Sequence, residues 1–204
     1  MTDIASEYQR RYDTALKQVA ASLERHLLDC LKGQENIDRV SARAKSPDRF
    51  VAKANKVLPD GSAKYSAPFT QIQDQIGARI TAFYLNDVAR LEQVVLKYFQ
   101  PIERKSLVPD SDWEFGYFGR HFVFAVPGDI VPVGMEKDVP RFFELQIKTL
   151  FQHAWSEANH DLGYKANSAL TSLQFRSLAF TSAQAWGADR IFDELRDELI
   201  KPGE

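Results

Sequence analysis

The first part of the chain alternates apolar and polar residues with the period of a helix. Apolar residues recur at intervals of three and four, at Ile4, Tyr8, Tyr12, Leu16, Val19, Leu23 and Leu27. This spacing predicts an amphipathic helix from Ile4 to Leu31 that ends before Gly33. A second helix is predicted to begin at Ser46, which can cap its first turn, and to continue through Ala54.

The remaining pattern predicts a small sheet between helices. Segments rich in β-branched and aromatic residues predict strands at 76–84, 120–126 and 141–147. Helical spacing predicts helices at 86–98, 153–160 and 170–199. The proline- and glycine-containing segment 126–140 predicts a loop. This order of elements is typical of an α+β fold with a mixed or mostly antiparallel sheet flanked by helices.

Composition narrows the class of protein. The chain has 204 residues, a formal net charge of -2 and 44% hydrophobic residues, as expected for a globular domain. The near-neutral charge argues against broad contact with nucleic-acid phosphates. Cys30 is the only cysteine, which excludes an intrachain disulfide. Because no signal peptide or membrane span is apparent, we expect a cytoplasmic protein without a membrane partner.

Two carboxylates lie where a sheet would present them to a ligand. Asp74 directly precedes the first predicted strand, and Glu144 lies within the third. If these strands are neighbours, the pair could hold Mg²⁺ together with phosphate oxygens. The alternative interpretation is that Asp74 caps a turn and that Glu144 faces solvent on an edge strand.

A cluster of positive charge precedes the first predicted strand. It consists of Arg39, Arg43, Lys45, Arg49, Lys53 and Lys56. The spacing of Arg49, Lys53 and Lys56 predicts that they share one helix face, where they could meet a triphosphate together. The alternative is a solvated helix face.

Two further segments carry groups that could contact a nucleotide. In FGYFGRH, residues 115–121, Tyr117 lies between two glycines and could stack on a base, or it could be a buried tyrosine at a strand entry. His153 and Glu157 are four residues apart and are predicted to share a helix face. Because no third ligand is evident, we favour contacts to phosphate or sugar over a metal site.

Taken in order, these motifs resemble the synthetase domain of the RelA/SpoT alarmone enzymes. The segment Glu144–Lys165, ELQIKTLFQHAWSEANHDLGYK, is similar to the family's E-[IV]-Q-[IV]-R-T followed by H-A-W-A-E-x-E-H-x-L-x-Y-K. Asp74–Ile80 is similar to D-[IL]-x-G-x-R-[IV], and Arg43–Lys53 to R-x-K-S-x-x-S-[IF]-x-x-K. Phe115–Val123 matches the family's G-Y-x-S-x-H loop in part.

The resemblance implies a nucleotidyltransferase-like mixed sheet flanked by helices, in a single domain over residues 1–204. Within it we expect an N-terminal helix over 1–36, a catalytic core over 40–165 and a C-terminal helix over 166–204. The implied activity is the Mg²⁺-dependent transfer of pyrophosphate from ATP to GDP or GTP, which makes (p)ppGpp and releases AMP. Small members of this family are often homo-oligomers; we expect the apolar C-terminal helix to pack onto its own domain, with a homo-oligomer as the alternative.

The resemblance also implies roles for individual residues. The ATP-binding residues would be Arg43, Lys45, Lys53 and Arg79. Asp74 and Glu144 would be the catalytic and Mg²⁺-binding carboxylates, with Glu144 assisting deprotonation of the acceptor hydroxyl. The acceptor nucleotide would contact Tyr117, His121, Gln146, Lys148 and His153.

Departures from the family pattern keep two alternatives open. Phe118, Gly119 and Arg120 differ from the family's loop, and Lys148 stands where the family has arginine. One alternative is a toxic small alarmone synthetase that makes adenosine alarmones or modifies the 3′-CCA end of tRNA, with an antitoxin as its partner. The other is a non-catalytic nucleotide-binding regulator, in which Asp74 and Glu144 would not converge.

Overall fold

The computed structural model describes residues 3–105, 115–165 and 170–199, and its centre is a mixed sheet. The sheet has five strands: β1 (Ile37–Ala44), β2 (Ile76–Ala82), β3 (Pro101–Lys105), β4 (Arg120–Ala125) and β5 (Phe142–Thr149). Their spatial order is β1-β2-β5-β4-β3. β2 and β5 are parallel, and the other neighbouring strands are antiparallel. The predicted α+β class with a mixed sheet is confirmed.

Helices precede, connect and follow the strands. The N-terminal helix has two parts, α1 (Ile4–Arg11) and α2 (Lys17–Cys30), joined by a π-helical turn at Tyr12–Leu16. The others are α3 (Pro47–Ala54), the short α4 (Pro68–Gln71), α5 (Leu85–Tyr98), α6 (Leu150–Lys165) and α7 (Ser172–Leu199). Among the described residues, none of these helices combines the length and apolar character needed to cross a membrane.

Alternation along β5 divides the sheet into an apolar face and a polar face. Phe143, Leu145 and Ile147 are fully buried in the core that α2 and α5 cover. Glu144 and Gln146 lie between them and therefore point to the opposite face. Helix α6 contacts β2 and β5 on this side. The candidate chemistry thus lies on the polar face of the sheet, supported by the core behind it.

The structure corrects three expectations. Strands β1 and β3 were not predicted, because their charged residues obscure the apolar alternation. Lys56 does not share a helix face with Arg49 and Lys53, since α3 ends at Ala54. The solvent-facing edge position considered for Glu144 is also wrong, because β5 is the central strand of the sheet.

Tyr8 connects the N-terminal helix to the segment that carries Lys45. The Tyr8 side chain is fully buried and stacks on Phe50, with ring centroids 3.7 Å apart and planes at 3°. Its hydroxyl donates a hydrogen bond of 2.9 Å to the backbone carbonyl of Lys45. Helix α1 therefore holds the chain just after β1 in place.

Replacing Tyr8 with Phe should lower the free energy of unfolding by about 1–2 kcal/mol, because the Lys45 carbonyl loses its hydrogen-bond donor while the ring stacking remains. Urea denaturation followed by circular dichroism measures this change. Tyr98→Phe, at a residue that is 60% exposed, is the matched control and should change the stability by less than about 0.5 kcal/mol. Equal effects of the two variants would contradict the anchoring role.

Candidate active site

Strand pairing places five of the predicted site residues in two adjacent rows across the sheet. One row consists of Arg43, Gly77 and Glu144, and the next of Ser41, Arg79, Gln146 and His121. Alternate residues of a strand face the same side, so both rows lie on the polar face. A Cβ added at Gly77 would contact nothing within 4 Å, which leaves open space between Arg43 and Glu144.

A cavity of about 630 Å³ lies over these rows. The predicted site residues that line it are Arg43, Lys45, Asp74, Arg79, Glu144 and Gln146. Its volume falls within the range of small-molecule and cofactor sites, about 300–1,000 Å³. The cavity therefore brings both carboxylates together with four of the polar residues assigned to ATP and acceptor.

Asp74 is held between two lysines at the start of β2. It lies in the 3₁₀ turn Gln73–Gln75, and its two carboxylate oxygens accept from Lys45 Nζ at 3.0 Å and Lys53 Nζ at 2.9 Å. Burial alone would raise the pKa of Asp74, but the two ammonium groups outweigh it and hold the pKa below its usual range. Asp74 is therefore ionised at neutral pH.

Glu144 is oriented by its neighbours on β5 and β4. Gln146 Nε2 donates a hydrogen bond of 2.8 Å to Glu144 Oε1, and His121 Nδ1 lies 3.3 Å from the same oxygen. His121 Nε2 is buried and has no hydrogen-bond partner among the described residues. The Glu144 carboxylate is thus positioned at the cavity wall by two polar side chains.

Arg79 joins the sheet to helix α6. Its Nη1 lies 2.9 Å from His153 Nδ1, and its Nη2 donates to Glu157 Oε1 at 2.8 Å. Burial and then the Arg79 charge lower the pKa of His153, which favours a neutral imidazole. Within the described part of the chain, no three His, Cys, Asp or Glu side chains form a cluster that could hold a metal. His153 and Glu157 share the predicted helix face, and both contact Arg79.

Lys148 continues the polar face one step beyond Gln146 and is buried, with 4% of its surface exposed. Its ammonium donates a hydrogen bond of 3.0 Å to Ser156 Oγ on α6. Burial, followed by the nearby Arg79 charge, lowers the pKa of Lys148 to about 8. The Lys148 ammonium is therefore charged at neutral pH and loses its proton when the pH rises above about 8.

Tyr117 is not among the residues that line the cavity. Its side chain is 7% exposed, and its hydroxyl donates a hydrogen bond of 2.7 Å to Asp189 Oδ2 on α7. Thr149 Oγ1 donates to the same carboxylate oxygen. This arrangement matches the alternative interpretation of a buried tyrosine at a strand entry, and the base-stacking role of Tyr117 stays a prediction.

Several cavity residues were not assigned to the site from the sequence. They are Tyr12, Ser41, Ser46, Arg49, Gly77 and the neighbouring alanines Ala44 and Ala78. Arg49 belongs to the basic cluster that the sequence showed, and the position of Arg49 in α3 places it at the cavity wall. Tyr12 comes from the N-terminal helix, so only the tertiary packing brings it to the cavity.

The fold and the cavity together define a nucleotidyltransferase-like protein. A mixed sheet presents two carboxylates on one face, and arginines and lysines surround them, as the binding of a polyphosphate requires. The family described as the region found in RelA / SpoT proteins matches residues 42–169. The chain belongs to this family, as its motifs predicted.

Individual relatives agree with this family over nearly the whole chain. GTP pyrophosphokinase YjbM of Bacillus subtilis is 25% identical over 195 residues, which cover 92% of this chain and 86% of the relative. Small alarmone synthetase 1 from Bacillus subtilis, solved with its product pppGpp, has a TM-score of 0.67 and 22% identity, covering 94% of this chain and 96% of its own. A GTP pyrophosphokinase family protein from Streptococcus pneumoniae has a TM-score of 0.71 and 21% identity, with 98% and 96% covered.

Proposed function

We propose that the chain is an ATP:nucleotide 3′-pyrophosphotransferase that makes (p)ppGpp from ATP and GDP or GTP and releases AMP. The observation that carries this proposal is that Asp74 and Glu144 line one cavity together with Arg43, Lys45 and Arg79. Membership of the RelA/SpoT family and the GTP pyrophosphokinase YjbM as a relative support it. We infer that residues 1–204 form a single synthetase domain.

Glu144 is the proposed general base. The acceptor 3′-oxygen attacks the β-phosphorus of ATP and forms a new P–O bond. The bond from the β-phosphorus to the oxygen that bridges to the α-phosphorus breaks, and AMP leaves with that electron pair. The proton of the hydroxyl passes to Glu144, whose carboxylate Gln146 and His121 orient.

The basic residues of the cavity would bind the ATP polyphosphate. Arg43 and Lys45 line the cavity beside Asp74, and Lys53 contacts the same carboxylate. Arg79 reaches the cavity from β2, and with Arg43 it is our candidate to flank the adenine ring. Phosphoryl-type transfer depends mainly on positioning and on charge neutralisation, which these cations would supply.

The carboxylates fit the expected Mg²⁺. Asp74 and Glu144 face one cavity, and Mg²⁺ is usually bound by one or two carboxylates together with substrate phosphates. When bound there, Mg²⁺ would neutralise charge on the phosphates of ATP. Asp74 is ionised, as a ligand to a hard cation must be.

The acceptor nucleotide is proposed to bind beyond Glu144, along β5 and α6. Gln146 lines the cavity, His121 contacts Glu144, and His153 contacts Arg79. Lys148 lies two residues after Gln146 on the same face of the strand. Tyr117 would join this set only after the loop that carries it leaves Asp189.

A transfer assay with several acceptors tests the proposed function. The pure protein is incubated with Mg²⁺ and ATP labelled at the γ-phosphate, and GDP, GTP, ATP and deacylated tRNA are offered separately. We expect label in GDP or GTP. Label only in tRNA or in adenosine nucleotides would identify a toxin-like relative, for which an antitoxin is the expected partner. The absence of transfer to every acceptor would favour a nucleotide-binding regulator.

A homo-oligomer, the alternative to packing of α7 onto its own domain alone, stays a prediction as well. Helix α7 carries exposed apolar side chains, among them Leu173, Phe175, Phe180, Ile191 and Phe192. Contiguous exposed apolar surface is typical of protein–protein contacts, which is why we propose α7 as the contact helix. Sedimentation of the pure protein measures its oligomeric state.

Acceptor use should decline as pH rises through about 8, because the protonated Lys148 is the form that attracts phosphate. The value of kcat/KM for the acceptor reports the free enzyme and should approach a tenfold fall per pH unit above this range. In Lys148→Arg, whose guanidinium stays charged, this decline should disappear. An unchanged profile in Lys148→Arg would show that another group controls it.

A further inference from the structure

Lys148 is a buried cation whose position is set by its surroundings. Its side chain is 4% exposed, and Ser156 Oγ accepts one hydrogen bond from its ammonium. A buried ammonium without a partner would be costly, so this contact determines where the charge lies. Among the described residues Ser156 is its one hydrogen-bond partner, so two of the three N–H groups of the ammonium make no hydrogen bond there.

Ser156 is itself fixed by the helix that carries it. Its Oγ donates a hydrogen bond of 3.1 Å to the carbonyl of His153, one turn earlier in α6. The hydroxyl therefore directs a lone pair toward Lys148 while its proton is engaged by the backbone. Ser156 thus connects Lys148 on β5 with the helix turn that carries His153.

Gly119 covers the other side of the Lys148 stem. A Cβ added at Gly119 would overlap Lys148 Cγ and would lie 2.5 Å from the carbonyl oxygen of Ile147. Gln152 Nε2 donates a hydrogen bond of 3.2 Å to the carbonyl of Phe118, which keeps the loop at this short distance. Because Gly119 has no side chain, the loop at residues 115–119 can lie directly against Lys148.

Three departures from the family's motifs meet at this point. Lys148 stands in place of arginine, Ser156 in place of the second alanine of H-A-W-A-E, and Gly119 in place of the loop serine. In the structure Lys148 contacts both of the others. Because lysine lacks the rigid fork of arginine, its ammonium needs an added partner to hold one direction.

We propose that Ser156 is a positioning residue that holds the Lys148 ammonium toward the phosphates of the acceptor nucleotide, beneath the loop closed by Gly119. The identity of the ligand rests on the proposed function. The location of the charge rests on the geometry: Lys148 follows Gln146 on the polar face of β5, and Ser156 fixes it from α6.

A double-mutant cycle in steady-state kinetics tests this role. Ser156→Ala should raise the KM for GDP about tenfold, because a hydrogen bond to a charged group is lost, while the KM for ATP and kcat change by less than about twofold. Ser156→Thr keeps the hydroxyl and should retain the wild-type KM. Ser177→Ala removes a hydroxyl that also bonds to a helix carbonyl, Leu173, and is the matched control.

The cycle is completed in the Lys148→Arg background. In that background Ser156→Ala should change the KM for GDP by less than about twofold, because the Lys148 ammonium that Ser156 positions is absent. An unchanged KM for GDP in Ser156→Ala, or the same tenfold penalty with Lys148→Arg, would overturn the proposal.

A measurement that needs no enzymatic activity separates this proposal from the proposed function. The titration of Lys148 is followed by side-chain NMR of the full chain in wild type, Ser156→Ala and Ser156→Thr. Loss of the acceptor to the charged amine should lower the Lys148 titration midpoint in Ser156→Ala only. A lowered midpoint without pyrophosphate transfer would refute the proposed function alone, whereas an unchanged midpoint would refute the role of Ser156.

Discussion

Glu144→Gln should reduce kcat for pyrophosphate transfer by about 100-fold or more, with little change in the affinity for ATP. The amide cannot accept the proton of the acceptor hydroxyl, and general-base catalysis typically contributes about 10²–10⁴-fold to a rate. Glutamine has nearly the same size, so the hydrogen-bonded position between Gln146 and His121 can be retained. Initial rates with labelled ATP and saturating GDP measure the effect.

Glu103 provides the matched control for this variant. It lies on β3, the outer strand of the same sheet, and is exposed. Glu103→Gln should keep the wild-type rate. If Glu144→Gln also kept more than about a third of the wild-type kcat, while its unfolding transition was unchanged, Glu144 would not be the base.

Asp74→Asn is expected to lower kcat/KM for ATP by about 100-fold and to raise the Mg²⁺ concentration that gives half of the maximal rate. The substitution removes the negative charge that Lys45 and Lys53 contact and that a hard cation prefers. The two lysines would then lie close together without a carboxylate between them, which alters the proposed binding site for the triphosphate. Titration of activity with Mg²⁺ at several ATP concentrations measures both changes.

The exposed Asp38 on β1 is the control for Asp74. Asp38→Asn removes the same charge from the chain but lies outside the cavity, so its Mg²⁺ dependence should equal that of the wild type. A normal Mg²⁺ titration for Asp74→Asn would argue that Asp74 only ties Lys45 and Lys53 together.

The sequence was most informative where one strand alternates strictly. The strand predicted at 141–147 is β5, and in the structure its apolar residues are buried while Glu144 and Gln146 lie on the opposite face. β1 was missed because Arg39 and Arg43 interrupt its apolar positions, so the segment reads as a charge cluster. The physical reason is that a strand beside a ligand cavity carries ligand-binding residues on one face, and these weaken the pattern used to find it.

Contacts between residues that are far apart in the chain could not be predicted from the sequence. Tyr117 and Asp189 are 72 residues apart, and nothing in either local pattern predicts that they share a hydrogen bond. Tyr12 reaches the cavity because the N-terminal helix packs beside β1, which no periodicity indicates. By contrast, the sequence indicated that Asp74 and Glu144 could act together if their strands were neighbours. The strands β2 and β5 are neighbours in the structure, and both carboxylates line the cavity.

The most direct test of the account compares GDP with 3′-deoxy-GDP as acceptors for ATP labelled at the γ-phosphate, with AMP quantified in the same reactions. We expect label in the GDP product, one AMP released for each labelled product, and no transfer to 3′-deoxy-GDP. Transfer to 3′-deoxy-GDP, or release of ADP in place of AMP, would contradict attack by the 3′-hydroxyl on the β-phosphorus of ATP.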